Sequence, residues 1–406
     1  MTENLTPEQA QALWDAGGFL VLTDLPEGSE FGIDGTCHVV RRFSGIKFVP
    51  PGLHLMSWSV PTSSSSSSPE QTVAGPSTIP IRHGLFREFR PRERVVLRYD
   101  AQSESVSFGA AHTESSLISD DHLRTLDREM APYPFEGLEK WKAQITEITP
   151  DVLTMVLGDG RIDGLIGADG EEEDKELKHV ASDLAKIRLD DIDGHRIMKF
   201  PKFSLRRSWR DGAVGEEVTK YAKDKSWLLG SVIKDQMDNE PSRLLANLQL
   251  AFVILLHLSS YSALLVYKRF LTLLCQSSSF LSSPPEYLPA SLSSSKTIRR
   301  ISLSLLHTLA AQLDALPEGS FETELPELDS FFLEQIESLR KNLGTAMWGS
   351  SGWKEADREI IKAGWNKLRD TAWNKWRWDI DELGHIVEED DGEEEEGEYA
   401  PIVVET

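Results

Sequence analysis

Cysteine is nearly absent from this chain of 406 residues, which has two, Cys37 and Cys275, separated by more than half of the sequence. Two cysteines so far apart do not make the disulfide framework on which small secreted domains depend. Their scarcity predicts a reducing compartment and a fold held by buried apolar side chains. The length allows two or three domains of ordinary size.

Positive charge is the second shortage. The chain has 43 Lys and Arg against 66 Asp and Glu, for a net charge of −23. Binding along a phosphate backbone requires clustered Lys and Arg, so this balance argues against a nucleic-acid-binding protein and favours protein partners. The excess of acidic over basic residues is concentrated at the C-terminus, where Asp379–Thr406 holds 13 acidic residues and no Lys or Arg. The run Glu393–Glu396 is expected to remain solvated because its like charges repel.

Motifs for metals, phosphates and catalytic nucleophiles are also missing. The chain contains no HExxH and no GxSxG, and the glycines of residues 158–170 lack a following GK[ST]. Asp159–Gly164 begins like a calcium loop, but Arg161 and Gly170 occupy positions that need oxygen ligands. His54, beside Pro-Pro-Gly, is interpreted as a hydrogen-bonded turn residue rather than a catalytic base. We therefore expect no cofactor, no metal and no enzymatic activity.

Long uninterrupted apolar runs are missing too, although one segment comes close. Leu244–Tyr267 is 24 residues long and has no formal charge, enough to span a bilayer, but polar residues interrupt it and its longest apolar stretch is Leu250–Leu256. The alternative is a buried helical hairpin, with helices at Leu244–Leu258 and Tyr261–Leu274 joined by a turn at Ser259-Ser260. The hairpin is favoured over the membrane span.

What is present in the first third of the chain is strand and turn chemistry. Short β-prone runs such as Phe19–Leu22, Cys37–Val40 and Ile46–Val49 alternate with turn residues such as Asp34-Gly35 and Pro50–Gly52. The pattern predicts an all-β domain of the sandwich or barrel-like kind over residues 1–150. Residues 61–78, which include six consecutive serines, are predicted to be a disordered insert because they cannot bury enough apolar surface.

The remainder is predicted to be helical. Apolar residues recur at helical spacing in three segments, of which Leu305, Leu309, Leu313 and Leu316 are one example. We predict an interdomain linker with fragments of structure at 151–215, an all-α multi-helix domain at 216–380, and an acidic tail with a terminal strand at 381–406. The predicted fold class is therefore α+β, with the β domain first.

Trp376 and Trp378 admit two interpretations. Together with Trp373, Lys375 and Arg377 they could stack on nucleic-acid bases. The spacing equally fits a helix that buries Trp376 while Trp373 covers a neighbouring helix, and packing is the favoured interpretation.

Several motifs occur in the same order as in a known family. They are Leu25-Pro26-Glu27-Gly28, Glu30–Asp34, Phe43-x-Gly45-Ile46-Lys47, Val49–Gly52 with His54, the Ala131–Phe135 turn, the segment of residues 248–275, Trp376–Asp379 and Ala400–Glu405. With these motifs the chain resembles the A1-cistron splicing factor family. The residues that the resemblance marks as family motif or partner-binding candidates are Pro26, Gly28, Glu30, Phe31, Gly32, Asp34, Gly45, Lys47, Pro50, Pro51, Gly52, His54, Tyr133, Trp376, Trp378, Ile402, Val403 and Val404.

The resemblance implies a function that composition does not suggest. It implies a non-enzymatic assembly chaperone of the U5 small nuclear ribonucleoprotein, in the cytoplasm and nucleus. The implied partner is the largest U5 core protein, bound on its RNase-H-like and Jab/MPN-like C-terminal domains, with other U5 components nearby and neither nucleic acid nor membrane bound directly. By occupying these surfaces, the chaperone would delay the binding of RNA and of the helicase to the core protein. The alternatives are a membrane-associated scaffold using residues 244–267 and an unrecognised enzyme in the β domain.

Two further hypotheses concern regulation. The β-prone segment Ala400–Glu405 either folds back on its own β domain or adds a strand to a partner's sheet. Accessible candidates for phosphorylation are the serine-rich stretches 61–77 and 276–296, or Ser208, which lies among Arg206, Arg207 and Arg210. Added negative charge at such a site could release a partner.

Overall fold

The structure is a computed structural model that describes residues 7–61, 81–103, 105–108, 117–164, 167–168, 197–323, 325–349 and 353–384. The strands are β1 (Gly18–Thr23), β2 (Glu30–Ile33), β3 (Thr36–Val39), β4 (Gly45–Val49), β5 (Gly52–Ser59), β6 (His83–Phe89), β7 (Arg94–Asp100), β8 (Ser105–Phe108), β9 (Met130–Pro132) and β10 (Arg161–Ile162). The helices of the first part are α1 (Pro7–Ala16), α2 (Asp120–Leu126), α3 (Leu138–Gln144) and α4 (Pro150–Leu157).

The helices of the second part begin after residue 215. They are α5 (Glu216–Lys223), α6 (Ser226–Gln236), α7 (Pro241–Leu258), α8 (Tyr261–Cys275), α9 (Ser278–Ser282), α10 (Ser295–Ala315), α11 (Ser320–Thr323), α12 (Pro326–Gly349) and α13 (Glu355–Trp376). The chain is therefore α+β, as predicted, with sheets first and helices after them.

The strands form two five-stranded sheets. Sheet A has the order β8-β7-β1-β4-β9, and sheet B has the order β10-β6-β5-β2-β3. A shared apolar core lies between them and takes side chains from both, including Leu20 and Leu97 of sheet A and Phe31 and Met56 of sheet B. The predicted sandwich is confirmed, with the addition that β1 pairs with β7, and β4 with β9, in parallel.

Strand β1 is buried on both faces, which explains its unbroken apolar sequence. Leu20 and Leu22 point into the core between the sheets, whereas Phe19 and Val21 point to the other side, where they meet Trp14 of α1 and Leu123 of α2. Successive side chains of a strand alternate between faces, so a strand with two covered faces needs apolar residues at every position. The helices α1 and α2 thus form an outer layer on sheet A.

The central hairpin of helices is confirmed close to its predicted bounds. α7 ends at Leu258, Ser259 adopts a left-handed conformation with φ 53°, and the Ser260 hydroxyl caps α8 by accepting from Ala263 N–H. α7 is long and apolar enough to cross a membrane by length and composition, but 78% of that stretch is buried inside the protein. Its apolar surface is used by the core, so the membrane-scaffold alternative has no support.

The β and α parts share one continuous core. Leu55 and Phe86, on the face of sheet B that points away from sheet A, belong to the same buried cluster as α7, α8 and α10. Gly84 of β6 lies so close to α7 that a Cβ there would stand 2.7 Å from Leu258 Cδ1. The molecule is therefore layered, with α1 and α2, then sheet A, then sheet B, and then the helices.

The stretch predicted as a linker contains ordered packing. α4 buries Val152 and Val156 in the shared core, and Phe200 and Phe203 lie against Phe270 of α8. The exact domain boundaries remain predictions. Of the predicted serine-rich insert only Pro61 is described, and of the predicted acidic tail only residues 381–384; the acidic run 393–396 and the terminal strand 400–405 fall outside the described residues.

Candidate functional site

The family-like motifs converge on the tight turn that joins β2 to β3. Asp34 and Gly35 both have positive φ, 49° and 86°, and connect the paired residues Ile33 and Thr36. Two-residue hairpin turns of this kind are favoured because the twist of the turn matches the twist of the strands it joins. Asp-Gly is a strong sequence signal for such a turn, because both of its central residues need a positive φ. The turn presents the Asp34 side chain to β5 and to the segment after β9.

The Asp34 carboxylate has three polar partners. Its Oδ1 accepts from Leu55 N–H at 2.9 Å, and its Oδ2 accepts from the Tyr133 hydroxyl at 2.6 Å and faces His54 Nδ1 at 2.5 Å. The side chains of Asp34 and His54 are each 2% exposed. Burial and the negative charge of Asp34 raise the pKa of Tyr133, so that its hydroxyl remains a donor. A buried carboxylate is tolerated here because both of its oxygens have polar partners.

His54 is held at both ring nitrogens. Nδ1 faces the Asp34 carboxylate, and Nε2 lies 2.8 Å from the backbone oxygen of Pro50. Both ring nitrogens are therefore occupied by partners within the protein. His54 is hydrogen-bonded, as predicted, but it lies in strand β5 and not in a turn.

Lys47 makes the second link between motifs. Its Nζ donates to Asp127 Oδ1 at 2.7 Å and to the Asp127 backbone oxygen at 2.9 Å, which ties β4 to the end of α2. The parallel pairing of β4 with β9 brings these two residues together. This is the same pairing that carries Tyr133 towards Asp34.

The other N-terminal motif residues are framework positions. Phe31 is fully buried in the sandwich core, and a side chain at Gly45 would collide with the backbone of Leu20. Glu30 lies 3.6 Å from Arg82, and Gly32 has no room for a Cβ beside the Cys37 sulfur. Among these remaining motif positions, those that lie wholly or partly at the surface are Pro26, Gly28, Glu30, Pro50, Pro51 and Gly52.

Trp376 and Trp378 lie far along the chain, in the helical part, and are half-buried. Trp376 Nε1 donates to the backbone oxygen of Leu313 at 3.1 Å, and the ring of Phe321 packs against both tryptophans at 4.5 and 5.1 Å. Packing, as favoured from the sequence, accounts for both. Trp373 is more exposed than expected for a residue that covers a neighbouring helix, at 51%, and the guanidinium of Arg377 lies 6.0 Å from the centre of its ring.

The prediction that Ser208 is accessible is wrong. Ser208 is fully buried, its hydroxyl donates to the backbone oxygen of Tyr221, and it accepts from Lys225 Nζ at 3.1 Å. Burial lowers the pKa of Lys225, whose ammonium also donates to the backbone oxygens of Leu205 and Ala222. The arginines around Ser208 suggested a surface site, but the hydroxyl is needed inside as a partner for a buried lysine. Ile402, Val403 and Val404 lie outside the described residues.

One interdomain link was missed by the sequence interpretation. Gln249 of α7 accepts from Glu147 N–H at 2.8 Å through Oε1 and donates to the Thr308 hydroxyl at 3.0 Å through Nε2. Its signal was a polar residue in an apolar helix, which was counted only as evidence against a membrane span. A buried amide requires partners, so it predicts a contact with another polar element.

A shallow cavity of about 510 Å³ lies next to this link, between α3, α10 and α13. The ion pair of Lys140 with Asp314, 3.0 Å apart, lies along it, and Glu147 accepts from Ser304 at its base. Within the described ranges, no cluster of His, Cys, Asp or Glu is placed to hold a metal ion. Three pairs of polar side chains that line the cavity are engaged with each other: Lys140 with Asp314, Ser304 with Glu147, and Gln249 with Thr308.

Comparisons with known proteins agree with the motif resemblance. The family model described as the AAR2 N-terminal domain matches residues 16–158, and the model described as the AAR2 C-terminal repeat region matches residues 200–381. The chain is 26% identical over 394 residues to "Protein AAR2 homolog" of Homo sapiens, covering 93% of each chain. It is also 23% identical over 391 residues to the protein of that name in Caenorhabditis elegans, covering 93% of this chain and 98% of that one.

Proposed function

Because this chain belongs to the AAR2 family, the A1-cistron splicing factors, we propose that it is a non-enzymatic assembly chaperone of the U5 small nuclear ribonucleoprotein. Membership makes it a splicing-related factor. The proposal adds that it binds the largest U5 core protein on its RNase-H-like and Jab/MPN-like domains, in the cytoplasm and nucleus, and delays RNA and helicase engagement. The observation that carries the proposal is a family match that extends over both halves of the chain.

A binding role is supported by what the motif residues do. Asp34 is hydrogen-bonded to His54 and Tyr133, and Lys47 to Asp127, so these side chains stabilise the sandwich. Partner contacts must then come from exposed residues. Trp373, 51% exposed at the end of α13, and Phe135, 38% exposed beside Tyr133, have the residue types that commonly anchor interfaces.

Net charge supports the same partner class. A chain with a net charge of −23 is repelled by RNA and attracted to a basic surface that RNA would otherwise occupy. Complementary charge mainly accelerates encounter and suppresses wrong partners, which suits a protein that must occupy an RNA-binding surface for a limited time.

The shared core supports a single, two-part binding surface. Gln249 and the Lys140–Asp314 pair connect the β and α parts on one side of the molecule, so that both parts present fixed surfaces to one partner. A partner with two adjacent domains can contact both at once, and tethered contacts raise affinity beyond that of each alone.

Calorimetric titration tests the proposal. The full chain is titrated with a fragment of the largest U5 core protein that contains both the RNase-H-like and Jab/MPN-like domains, and separately with the RNase-H-like domain. We expect one-to-one binding in both experiments and tighter binding to the larger fragment. Absence of binding to either folded fragment would contradict the proposal.

Two variants refine this experiment. Deletion of residues 399–406 should weaken binding to the larger fragment at least tenfold if the terminal strand contributes to the interface. Trp373→Ala should weaken binding by a similar factor, while Trp373→Phe, which keeps an aromatic ring, should lose less. If the deletion leaves the affinity unchanged, the tail has no part in this interface.

A further inference from the structure

Strand β3 forms an open edge of sheet B. It pairs with β2 on one side, and among the described residues no strand lies on its other side. We propose that, in the free protein, this edge binds the chain's own C-terminal segment Ala400–Glu405 as an additional strand. The C-terminal segment would then be stored on the sandwich until a partner displaces it.

The register of β3 shows which backbone groups the edge offers. Val40 N–H donates to Ser29 O at 2.7 Å, which directs the backbone of Val40 towards β2. In an antiparallel ladder the direction alternates, so Thr36 and His38 also face β2 while Cys37 and Val39 face outwards. The outer edge therefore presents two N–H groups and two carbonyl groups, enough to hold a short strand.

Two uncharged residues of this edge, Cys37 and Val39, are exposed. Val39 is 57% exposed, and the Cys37 side chain is also exposed. Open edges in natural sheets are usually protected by charge, proline or a bulge, because they otherwise pair with other chains. None of the four residues of β3 is a charged residue or a proline. This edge is therefore suited to receive a strand rather than to repel one.

Charge indicates which strand it receives. Arg41 and Arg42 follow β3 after Val40, and both are exposed. The residues just before the C-terminal segment carry the opposite charge, with Glu393–Glu396 and Glu398. Pro401 is the second residue of the segment, and its missing N–H costs nothing where the backbone at that position points away from β3. Ile402 and Val404 would share one face and extend the apolar surface of Val39.

The length of the chain permits the contact. Fifteen residues separate Gly384, where the described structure ends, from Ala400, and they span up to about 50 Å when extended. A compact chain of this length has a radius of gyration of about 22 Å, so the reach of these fifteen residues is comparable with the size of the molecule. They are therefore long enough to carry the C-terminal segment to surfaces well beyond the end of α13.

Amide hydrogen exchange on the full chain tests the proposal. In the native protein, the outward amides of Cys37 and Val39 should exchange at least tenfold more slowly than in the full-length variant Ile402→Asp/Val404→Asp. Unchanged exchange of the β1 amides in the variant verifies that these substitutions leave the sandwich folded. Equal exchange at Cys37 and Val39 in the two proteins would overturn the proposal.

Further variants, high salt and a series of protein concentrations test whether the segment bound at the β3 edge is Ala400–Glu405, another part of the tail or a second copy of the chain. Ile386→Asp/Val387→Asp makes the same change elsewhere in the tail and should leave protection intact; loss of protection here but not in the first variant would overturn the assignment to Ala400–Glu405. Arg41→Glu/Arg42→Glu should reduce protection severalfold, as should 1 M salt. Protection that rises with protein concentration would identify a second copy as the occupant and also overturn the proposal. No partner is present in these experiments, so their outcome is independent of the proposed U5 interaction.

Discussion

The carboxylate of Asp34 lies where three parts of the chain meet. It is bonded to His54 and Leu55 of β5 and to Tyr133 after β9. These residues are separated by up to 99 positions in the sequence, so a single side chain holds the hairpin turn, the adjacent strand and the end of the sandwich together.

Replacing that carboxylate should be costly. Asp34→Asn keeps the shape and tolerates the positive φ, but it removes the negative charge that faces His54 and the Tyr133 hydroxyl. We expect the free energy of unfolding to fall by about 2–4 kcal/mol, as is usual when one partner of a buried charged pair is removed. Urea denaturation measures the change.

Asp24→Asn is the matched control. Asp24 also has a positive φ, 65°, and its carboxylate also has a cationic partner, Arg98 at 3.4 Å, but its side chain is 63% exposed. An exposed pair contributes about 0–1 kcal/mol, so the control should change stability by less than about 1 kcal/mol. If both variants lose the same free energy of unfolding, burial does not explain the contribution of Asp34 to stability.

His257 at the end of α7 should make stability depend on pH. Its ring lies against Trp141, at 5.9 Å between centroids, and under the Gly35 turn, where its Nε2 is buried without a partner. Burial, with a smaller effect of the nearby Arg82, lowers the pKa of His257 to about 4. Between about pH 6.5 and pH 4 the unfolded chain therefore binds a proton that the folded chain does not, and stability falls as the pH falls through this range.

The size of the effect can be measured against a variant. His257→Gln should remove its contribution, so that the difference in unfolding free energy between wild type and variant changes by about 1–3 kcal/mol between pH 7 and pH 4. Chemical denaturation at a series of pH values gives this difference. A constant difference across the range would mean that His257 titrates in the folded protein as it does in the unfolded chain.

At the scale of elements, the contact between β6 and α7 depends on a glycine. A Cβ at Gly84 would lie 2.7 Å from Leu258 Cδ1, so Gly84→Ala pushes the helix away from sheet B. We expect a loss of about 1–3 kcal/mol in unfolding free energy, the usual range for an overpacked contact. Thermal and urea denaturation measure it.

Gly137 provides the control for this substitution. Nothing lies within 4 Å of a Cβ built there, and its φ of −87° is compatible with alanine. Gly137→Ala should therefore change stability by less than about 1 kcal/mol in either direction. A comparable loss in both variants would indicate that glycine flexibility, and not the close approach of α7, explains the effect at Gly84.

The elements also show where sequence patterns were sufficient. The helical hairpin and the three periodic segments were predictable because each pattern is local, and residues such as Leu309, Phe332 and Trp365 are buried as their spacing required. The pairing of β1 with β7 in parallel was not predictable, because no local pattern specifies a partner 75 residues away.

At the scale of the whole molecule, the shared core predicts cooperative unfolding. Sheet B, α7, α8 and α10 contribute to one buried cluster, and Gln249 connects the two parts by hydrogen bonds. Loss of either part exposes apolar surface of the other, so both should unfold together. We expect a single calorimetric transition whose van't Hoff and calorimetric enthalpies agree.

Variants at the contact between the β and α parts distinguish cooperative unfolding from independent unfolding of the two parts at similar temperatures. Gln249→Ala and Gly84→Ala should lower the midpoint of the single transition without splitting it. Two resolved transitions in the wild type, one of which is insensitive to these substitutions, would show that the β and α parts unfold independently despite their common core.

The sequence by itself determined the α+β class, the central hairpin and the family to which the chain belongs, because period, turn chemistry and motif wording are carried by neighbouring residues. Only the tertiary structure decided what the motif residues do. His54 has no free nitrogen because Asp34 and Pro50 lie on both sides of its ring, and Ser208 is inaccessible because Lys225 requires its hydroxyl. These outcomes depend on contacts between segments far apart in the sequence, and burial and hydrogen-bond partners are fixed only when those segments meet.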